Sequence, residues 1–218
     1  MESVTLAVID KSVNNSAMNA RLPSRPRRRL PPQARRSQLL ECALHAFADE
    51  GLSGAGHARV AELAGVSVPT VFHYFPTREA LVDAVLEEVE AFFASLAVEI
   101  HASDASPTAV LVAHGLAFLD SVDSHPDHIR VWLDWSTAIR EHVWPRYLAF
   151  QERLVGIVAG TIERAIREDS ARGHVEPVSA ARLFVGNAHM AAVMKFAPAT
   201  GLDLTDHVRQ AVTTLLGD

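Results

Sequence analysis

Apolar residues between positions 77 and 102 recur every three or four residues, and this spacing constrains the fold more than any other feature of the sequence. The residues of this stripe are Leu81, Val85, Val89, Phe92, Leu96 and Ile100. Side chains at that spacing lie on one face of an α-helix. Prolines divide the rest of the chain into helix-length segments, because proline suits the first turn of a helix but breaks its interior. These prolines are Pro107, Pro126, Pro145, Pro177 and Pro198.

The pattern therefore predicts an all-α chain, since no stretch of useful length shows the strict alternation typical of a β-strand. The long helix is predicted at about 77–102. Further helices are predicted at about 107–122, 126–139, 141–170, 177–196 and 203–216.

Composition limits the classes of protein that this chain can be. With 49% hydrophobic residues it can bury a core, and its single cysteine, Cys42, excludes an internal disulfide framework. No apolar run approaches the roughly 18 to 20 residues that cross a bilayer, and the N-terminus lacks the basic and apolar segments of a signal peptide. We therefore expect a cytoplasmic protein with no membrane contact.

The net charge of −6 conceals two oppositely charged parts. Residues 1–80 carry 10 basic and 7 acidic side chains, whereas residues 81–218 carry 10 basic and 19 acidic ones. Seven arginines lie between Arg21 and Arg36 with no acid among them. This distribution favours contact between the N-terminal part and a polyanion, although a basic tail can also be a solubilising disordered segment.

Three helices are predicted before the long one, at about 32–51, 59–64 and 67–75. Gly65 separates the last two, and glycine readily takes the left-handed conformation that ends a helix. Pro69 suits the first turn of the third helix. Two short helices joined by a glycine-containing turn form a helix-turn-helix, whose second helix fits the major groove of DNA.

The third helix is predicted to have an inner and an outer side. Val71, Phe72 and Phe75 are expected to anchor it to its domain. The residues expected to project outward and contact DNA are Ser67, Val68, Thr70, His73 and Tyr74. The chain is thus predicted to have a disordered tail at 1–24, a basic arm and helix-turn-helix at 25–76, and a helical regulatory and dimerisation domain at 77–218.

Several stretches resemble a known family. "VFHYFPTREALVDAVL" (71–86) is similar to the segment of TetR-family bacterial transcriptional regulators that closes the recognition helix and starts the fourth helix. "RPRRRLPPQARR" (25–36), "GHARVAEL" (56–63) and "VWLDWSTAIREHVWP" (131–145) resemble, within that family, the vibrio quorum-sensing master regulators of the LuxR/HapR/SmcR group. The resemblance covers roughly residues 25–196.

The resemblance implies a homodimer that binds a palindromic double-stranded DNA operator on the nucleoid. Arg27 and Arg29 match arm positions that enter the minor groove, where negative potential favours arginine. Thr70 and Tyr74 are predicted to contact phosphates. His73 stands where the relatives have Asn, and His cannot bond adenine bidentately as Asn does, so its preferred base is left open.

Residues 179–196, together with the helix at about 203–216, are predicted to form the dimer interface, because small residues let helices approach closely. The small residues are Ala180, Ala181, Gly186, Ala188, Ala191 and Ala192. The alternative is that this segment is an internal core helix.

The resemblance also implies an apolar cavity for a small ligand. Residues at matching positions are Phe93, Leu96, Ala117, Trp132, Leu133, Gln151 and Ala188. Tryptophans at helical spacing can also simply belong to the core.

No cofactor and no metal are predicted. The segment "DSHPDH" (123–128) groups histidines and acids, but a zinc site needs further ligands at fixed spacing. An enzyme and a helical adaptor remain as other classes. Within the regulators, a quorum-sensing-type master regulator is predicted, and the alternative is a small-molecule-responsive TetR-type repressor of a neighbouring efflux or metabolic operon.

Overall fold

A computed structural model describes residues 30–139, 141–168, 171, 175–197, 201 and 203–217. Within these ranges the chain forms nine α-helices and no β-strand, which confirms the all-α prediction. The helices are α1 (Pro32–Gly54), α2 (His57–Ala64), α3 (Val68–Tyr74), α4 (Arg78–His101), α5 (Pro107–Ser124), α6 (Pro126–Trp135), α7 (Trp144–Arg167), α8 (Pro177–Phe196) and α9 (Leu204–Leu216). The predicted tail at 1–24 and the arm residues Arg27 and Arg29 lie outside the described residues.

The helix predicted over 126–139 ends earlier, at Trp135, and α7 begins only at Trp144. The hydroxyl of Thr137 donates to the carbonyl of Asp134 at 2.9 Å, which competes with continuation of the helix. The buried indole Nε1 of Trp135 donates to the carbonyl of Val143 at 3.1 Å. The connection between α6 and α7 therefore folds back over Trp135.

The sequence predicts that the first helix ends at Gly51, but α1 is interrupted there, with φ 77° and ψ 165°, and continues to Gly54. Positive φ at this position favours glycine. The next residue, Leu52, donates its backbone N–H to the carboxylate of Asp134 on α6 at 2.7 Å. Helix α6 thus fixes the backbone directly after the break in α1.

Residues Pro32–Asp218 form one compact unit, in which α1 packs against α2, α4 and α6. On the surface between α1 and α6, His45 Nδ1 lies 2.9 Å from the carboxylate of Asp127. Farther along the chain, α7 packs against α8, and α5 packs against α9. The largest fully buried side chains include Phe47, Phe75, Trp135 and Phe150. The division of function at residue 76 stays a prediction.

Gly115 on α5 lies directly against Val208 on α9. A Cβ atom built at this residue would lie 2.5 Å from Cγ1 of Val208. We expect Gly115→Ala to lower stability by about 1–3 kcal/mol through overpacking. For a chain of this size, that loss lowers Tm by roughly 2–4 °C per kcal/mol.

Gly156→Ala is the matched control, because this glycine lies on the exposed side of α7 and an added Cβ would meet nothing within 4 Å. Alanine there is expected to stabilise α7 by about 0.5–1 kcal/mol. Thermal denaturation of both variants followed by circular dichroism makes the comparison. Equal melting of Gly115→Ala and the unchanged protein would contradict the close approach.

Candidate DNA-binding site

The turn between α2 and α3 is set by Gly65, which has φ 62° and ψ 37°. Its backbone N–H donates to the carbonyl of Glu62 at 3.1 Å, and the N–H of Val66 donates to the carbonyl of Ala61 at 3.0 Å. This hydrogen-bond pair satisfies the last carbonyls of α2 and requires a left-handed residue at position 65. The predicted helix-turn-helix is present, with glycine at the residue that reverses the chain.

Ser67 occupies the residue before α3, but its hydroxyl caps no backbone N–H of the helix. Instead, Ser67 Oγ lies 2.9 Å from Thr70 Oγ1. The backbone N–H of Thr70 is already bonded to the carbonyl of Ser67 at 2.9 Å, which closes the first turn. The two hydroxyls therefore form a small polar pair at the beginning of α3.

The outer side of α3 carries most of the predicted contact residues. Ser67, Val68 and His73 are exposed, whereas Thr70 and Tyr74 are half-buried. The ring of His73 meets the ring of Tyr74 edge-on, with 5.1 Å between centroids. Tyr74 also packs against the core, and the contacts of all five side chains with DNA stay predictions.

Of the three residues predicted to anchor α3 to its domain, two are correct. Val71 and Phe75 are buried, but Phe72 is 46% exposed. The ring of Phe72 stacks on the ring of His57, with 3.9 Å between centroids and 6° between planes. Phe72 thus lies on the outer side of α3 with one face covered.

His57 holds the end of α3 from inside. This side chain is buried at the start of α2, and its Nε2 lies 2.7 Å from the carbonyl oxygen of Phe75. Because a carbonyl only accepts, Nε2 of His57 must carry the proton. Sequence reasoning missed this residue, since its partner is a backbone atom 18 positions away and no local pattern marks the pair.

The junction between α3 and α4 is also fixed by side chains. Thr77 caps α4 by accepting the backbone N–H of Ala80 at 3.1 Å. Arg78 donates to the carbonyl of Leu52, which ties α4 to the end of α1. The guanidinium of Arg36 lies over the ring of Phe75, 5.3 Å from its centroid. These contacts fix the orientation of α3 relative to the helices on either side.

A cavity of about 50 Å³ lies among α4 to α9. Three of the predicted pocket residues line it, namely Phe93, Trp132 and Ala188. The other four are half-buried and lie outside the cavity wall; these are Leu96, Ala117, Leu133 and Gln151. The amide of Gln151 donates to the hydroxyl of Tyr147, which also lies 3.2 Å from His189 Nε2.

The cavity wall carries no charge at neutral pH. His114 and Asn187 are its polar members besides the indole of Trp132. His114 Nδ1 lies 2.9 Å from His101 Nε2, and His101 Nδ1 lies 2.6 Å from the hydroxyl of Thr161. Burial, and secondarily the neighbouring His101, lower the pKa of His114 to about 4. Burial, and secondarily Arg164, lower the pKa of His101 to about 4.

The histidines of the segment 123–128 do not form a metal site with other described residues. His125 and His128 pack around Phe92, with ring centroids 4.8 and 4.6 Å from its own. In the part of the chain that the structure describes, no three potential metal ligands of the His, Cys, Asp or Glu type come together. None of the helices in that part has the length and hydropathy needed to cross a membrane.

A helix-turn-helix whose second helix is exposed, on a larger helical body, is typical of DNA-binding transcriptional regulators. Residues 39–85 match the bacterial regulatory proteins of the tetR family. The chain is 38% identical over 167 residues to the HTH-type transcriptional regulator LuxR of Vibrio harveyi, over 74% of this chain and 79% of that protein. The chain belongs to the TetR family of bacterial regulators, and it is a regulator rather than an enzyme.

Two solved structures share the fold. A TetR-like transcriptional regulator from Rhodococcus sp. RHA1 superposes with a TM-score of 0.70 at 21% identity, over 87% of this chain and 100% of that one. AibR in complex with isovaleryl coenzyme A and operator DNA superposes with a TM-score of 0.68 at 17% identity, over 84% of this chain and 98% of that one.

Proposed function

We propose that this regulator binds a palindromic operator as a homodimer and acts as a quorum-sensing-type master regulator in the cytoplasm, on the nucleoid. The observation that carries operator binding is α3, whose buried Val71 and Phe75 leave a face with both polar and apolar side chains exposed. The quorum-sensing branch rests on the 38% identity to LuxR of Vibrio harveyi. Two copies are needed because a single helix-turn-helix contacts only half of such a site.

The exposed side of α8 supports the homodimer. Leu183, Met190 and Val193 are 71%, 56% and 56% exposed, and their spacing places them on one face of the helix with Gly186 between them. The small residues that suggested this helix mostly face the other way. Ala180, Ala181, Ala191 and Ala192 are buried within the protomer. We therefore assign the interface to the larger apolar side chains.

The outer face of α3 is proposed to enter the major groove through Ser67, Val68, Thr70, His73 and Tyr74. Arg27 and Arg29 are proposed to enter the minor groove beside it. Arginine is favoured in a narrow minor groove because negative potential concentrates there.

Selection of bound duplexes from a random library, followed by a gel shift at moderate salt, tests the proposal. The expected result is a palindromic motif. Arg27→Ala is expected to weaken binding about tenfold, most strongly for sites with A·T-rich flanks. Arg167→Ala, which removes an exposed arginine from the end of α7, is the matched control. Failure to retain any duplex would refute operator binding, and equal binding by both variants would refute the role of the arm.

The cavity favours a second candidate, a repressor released by a small molecule that controls a neighbouring efflux or metabolic operon. Its volume of about 50 Å³ accommodates roughly three to five water-sized groups. The wall is uncharged, and Nε1 of the buried Trp132 has no hydrogen-bond partner in the described protein. A small uncharged molecule with a hydrogen-bond acceptor suits this wall better than a carboxylate, whose burial without a counter-charge is costly.

A further inference from the structure

Two apolar side chains are exposed on α3, the helix proposed to enter the major groove. Among the described residues of α1, α2 and α3, Val68 and Phe72 are the only large hydrophobic residues that are exposed, at 37% and 46%. They lie four positions apart and therefore on the same face of α3. Pro69, which lies between them, is exposed as well. Folding of the protomer does not explain this apolar strip, because its members contribute little to the core.

The exposed ring is held rigidly. One face of Phe72 stacks on His57 at 3.9 Å with 6° between the planes. His57 is itself buried and bonded to the carbonyl of Phe75 at 2.7 Å. A ring supported in this way loses little rotational freedom when its other side is covered, so binding through it carries a small entropic cost.

The major groove offers one apolar group, the 5-methyl of thymine, which apolar side chains contact. We propose that Val68 and Phe72 recognise thymine in the operator through this methyl group and thereby set part of the base preference. The inference rests on the proposed placement of α3 in the major groove. Ser67, Thr70 and His73 are the polar residues beside the strip, and they are left to contact hydrogen-bonding edges and phosphates.

Deoxyuridine provides the test, because it differs from thymidine only by the missing methyl group. The full-length protein is titrated with the duplex recovered by selection and with copies in which single thymines of each half-site are replaced by deoxyuridine. Burial of a methyl group contributes about 0.8 kcal/mol, so one or two positions per half-site are expected to lose about fourfold in affinity.

The same titrations with Val68→Ala and Phe72→Ala assign the effect. At least one variant is expected to bind more weakly and to lose the response at one of those positions, to less than about 1.5-fold against the fourfold expected for one methyl. Glu99→Ala, on the exposed side of α4, is expected to keep the full response. Melting curves of each variant show whether the protein still folds. If Phe72→Ala does not fold, Val68→Ala still tests the proposal, because it leaves the stack of Phe72 on His57 intact.

The outcomes distinguish operator binding from recognition of the thymine methyl group. If no duplex is retained at all, the proposed function fails. If a duplex is bound and deoxyuridine has no effect at any position, recognition of thymine methyl groups is overturned while operator binding stands. A response to deoxyuridine that persists unchanged in both variants would also overturn the assignment to Val68 and Phe72.

Discussion

Replacing Leu183 with aspartate is expected to abolish tight operator binding while leaving the protomer folded. Leu183 is 71% exposed, so a carboxylate there remains solvated in a single protomer. In the proposed dimer the same carboxylate would be buried against its copy, where two unpaired like charges are strongly unfavourable. Separating the two helix-turn-helix units is expected to lower the affinity for a palindromic operator about 100-fold or more, through loss of avidity.

Sedimentation velocity and a gel shift on the same preparation measure the two effects together. Ile139→Asp is the control, because Ile139 is 64% exposed and lies after α6 rather than on α8. This variant is expected to sediment and bind like the unchanged protein. A dimeric Leu183→Asp protein would show that α8 does not form the interface, and a monomer with full affinity would show that dimerisation is not required.

Among substitutions within the helix-turn-helix, His57→Ala is expected to lower stability the most. The carbonyl of Phe75 would lose its buried donor, which costs about 1–3 kcal/mol, and Phe72 would lose a stacked ring worth about 0.5–1.5 kcal/mol. The free energy of unfolding should therefore fall by roughly 2–4 kcal/mol. Operator affinity should fall as well, because the end of α3 is no longer fixed.

Two further variants make this prediction specific. His57→Gln keeps an N–H donor and is expected to recover part of the lost stability, as measured by urea denaturation. His73→Ala removes an exposed imidazole from the neighbouring helix and is expected to leave the urea midpoint unchanged. Equal midpoints for His57→Ala and His73→Ala would refute the role assigned to His57.

Local patterns were sufficient to predict the helices and the turn that presents α3. Apolar spacing predicted α4, proline predicted the start of α5, α6 and α8, and Gly65 predicted the end of α2. These features depend on neighbours within a few residues, so they can be predicted from a single sequence. The all-α class followed from them and is confirmed. Membership of the TetR family was indicated by the resemblance of longer stretches such as 71–86, and it is confirmed as well.

The inner and outer sides of helices were harder to predict. Phe72 and Phe75 are both aromatic and three residues apart, yet only Phe75 is buried, because the space inside is occupied by His57. The small residues of α8 similarly suggested contact with a partner, whereas four of them pack inside the protomer. Which face is buried depends on residues far away in the sequence.

The residues that line the cavity were also only partly predictable from the sequence. Trp132 and Leu133 are adjacent in sequence, but only Trp132 reaches the cavity wall. Gln151 was placed at the cavity by analogy, and in this chain its amide is bonded to Tyr147. A cavity is the space that many side chains leave between them, so small shifts in packing change which residues border it.

The helix α6 contacts both the cavity and the break in α1. Trp132 borders the cavity, and Asp134, two positions later, holds the backbone N–H of Leu52 at the break in α1 at 2.7 Å. Side chains two positions apart point to opposite sides of a helix. Because α6, a helix of ten residues, contacts the cavity on one side and the break in α1 on the other, we expect a displacement of α6 to affect both places. In the proposed dimer, we therefore expect a change in the volume of the cavity to alter the distance between the two helix-turn-helix units, even though no residue of α1 to α3 lines the cavity.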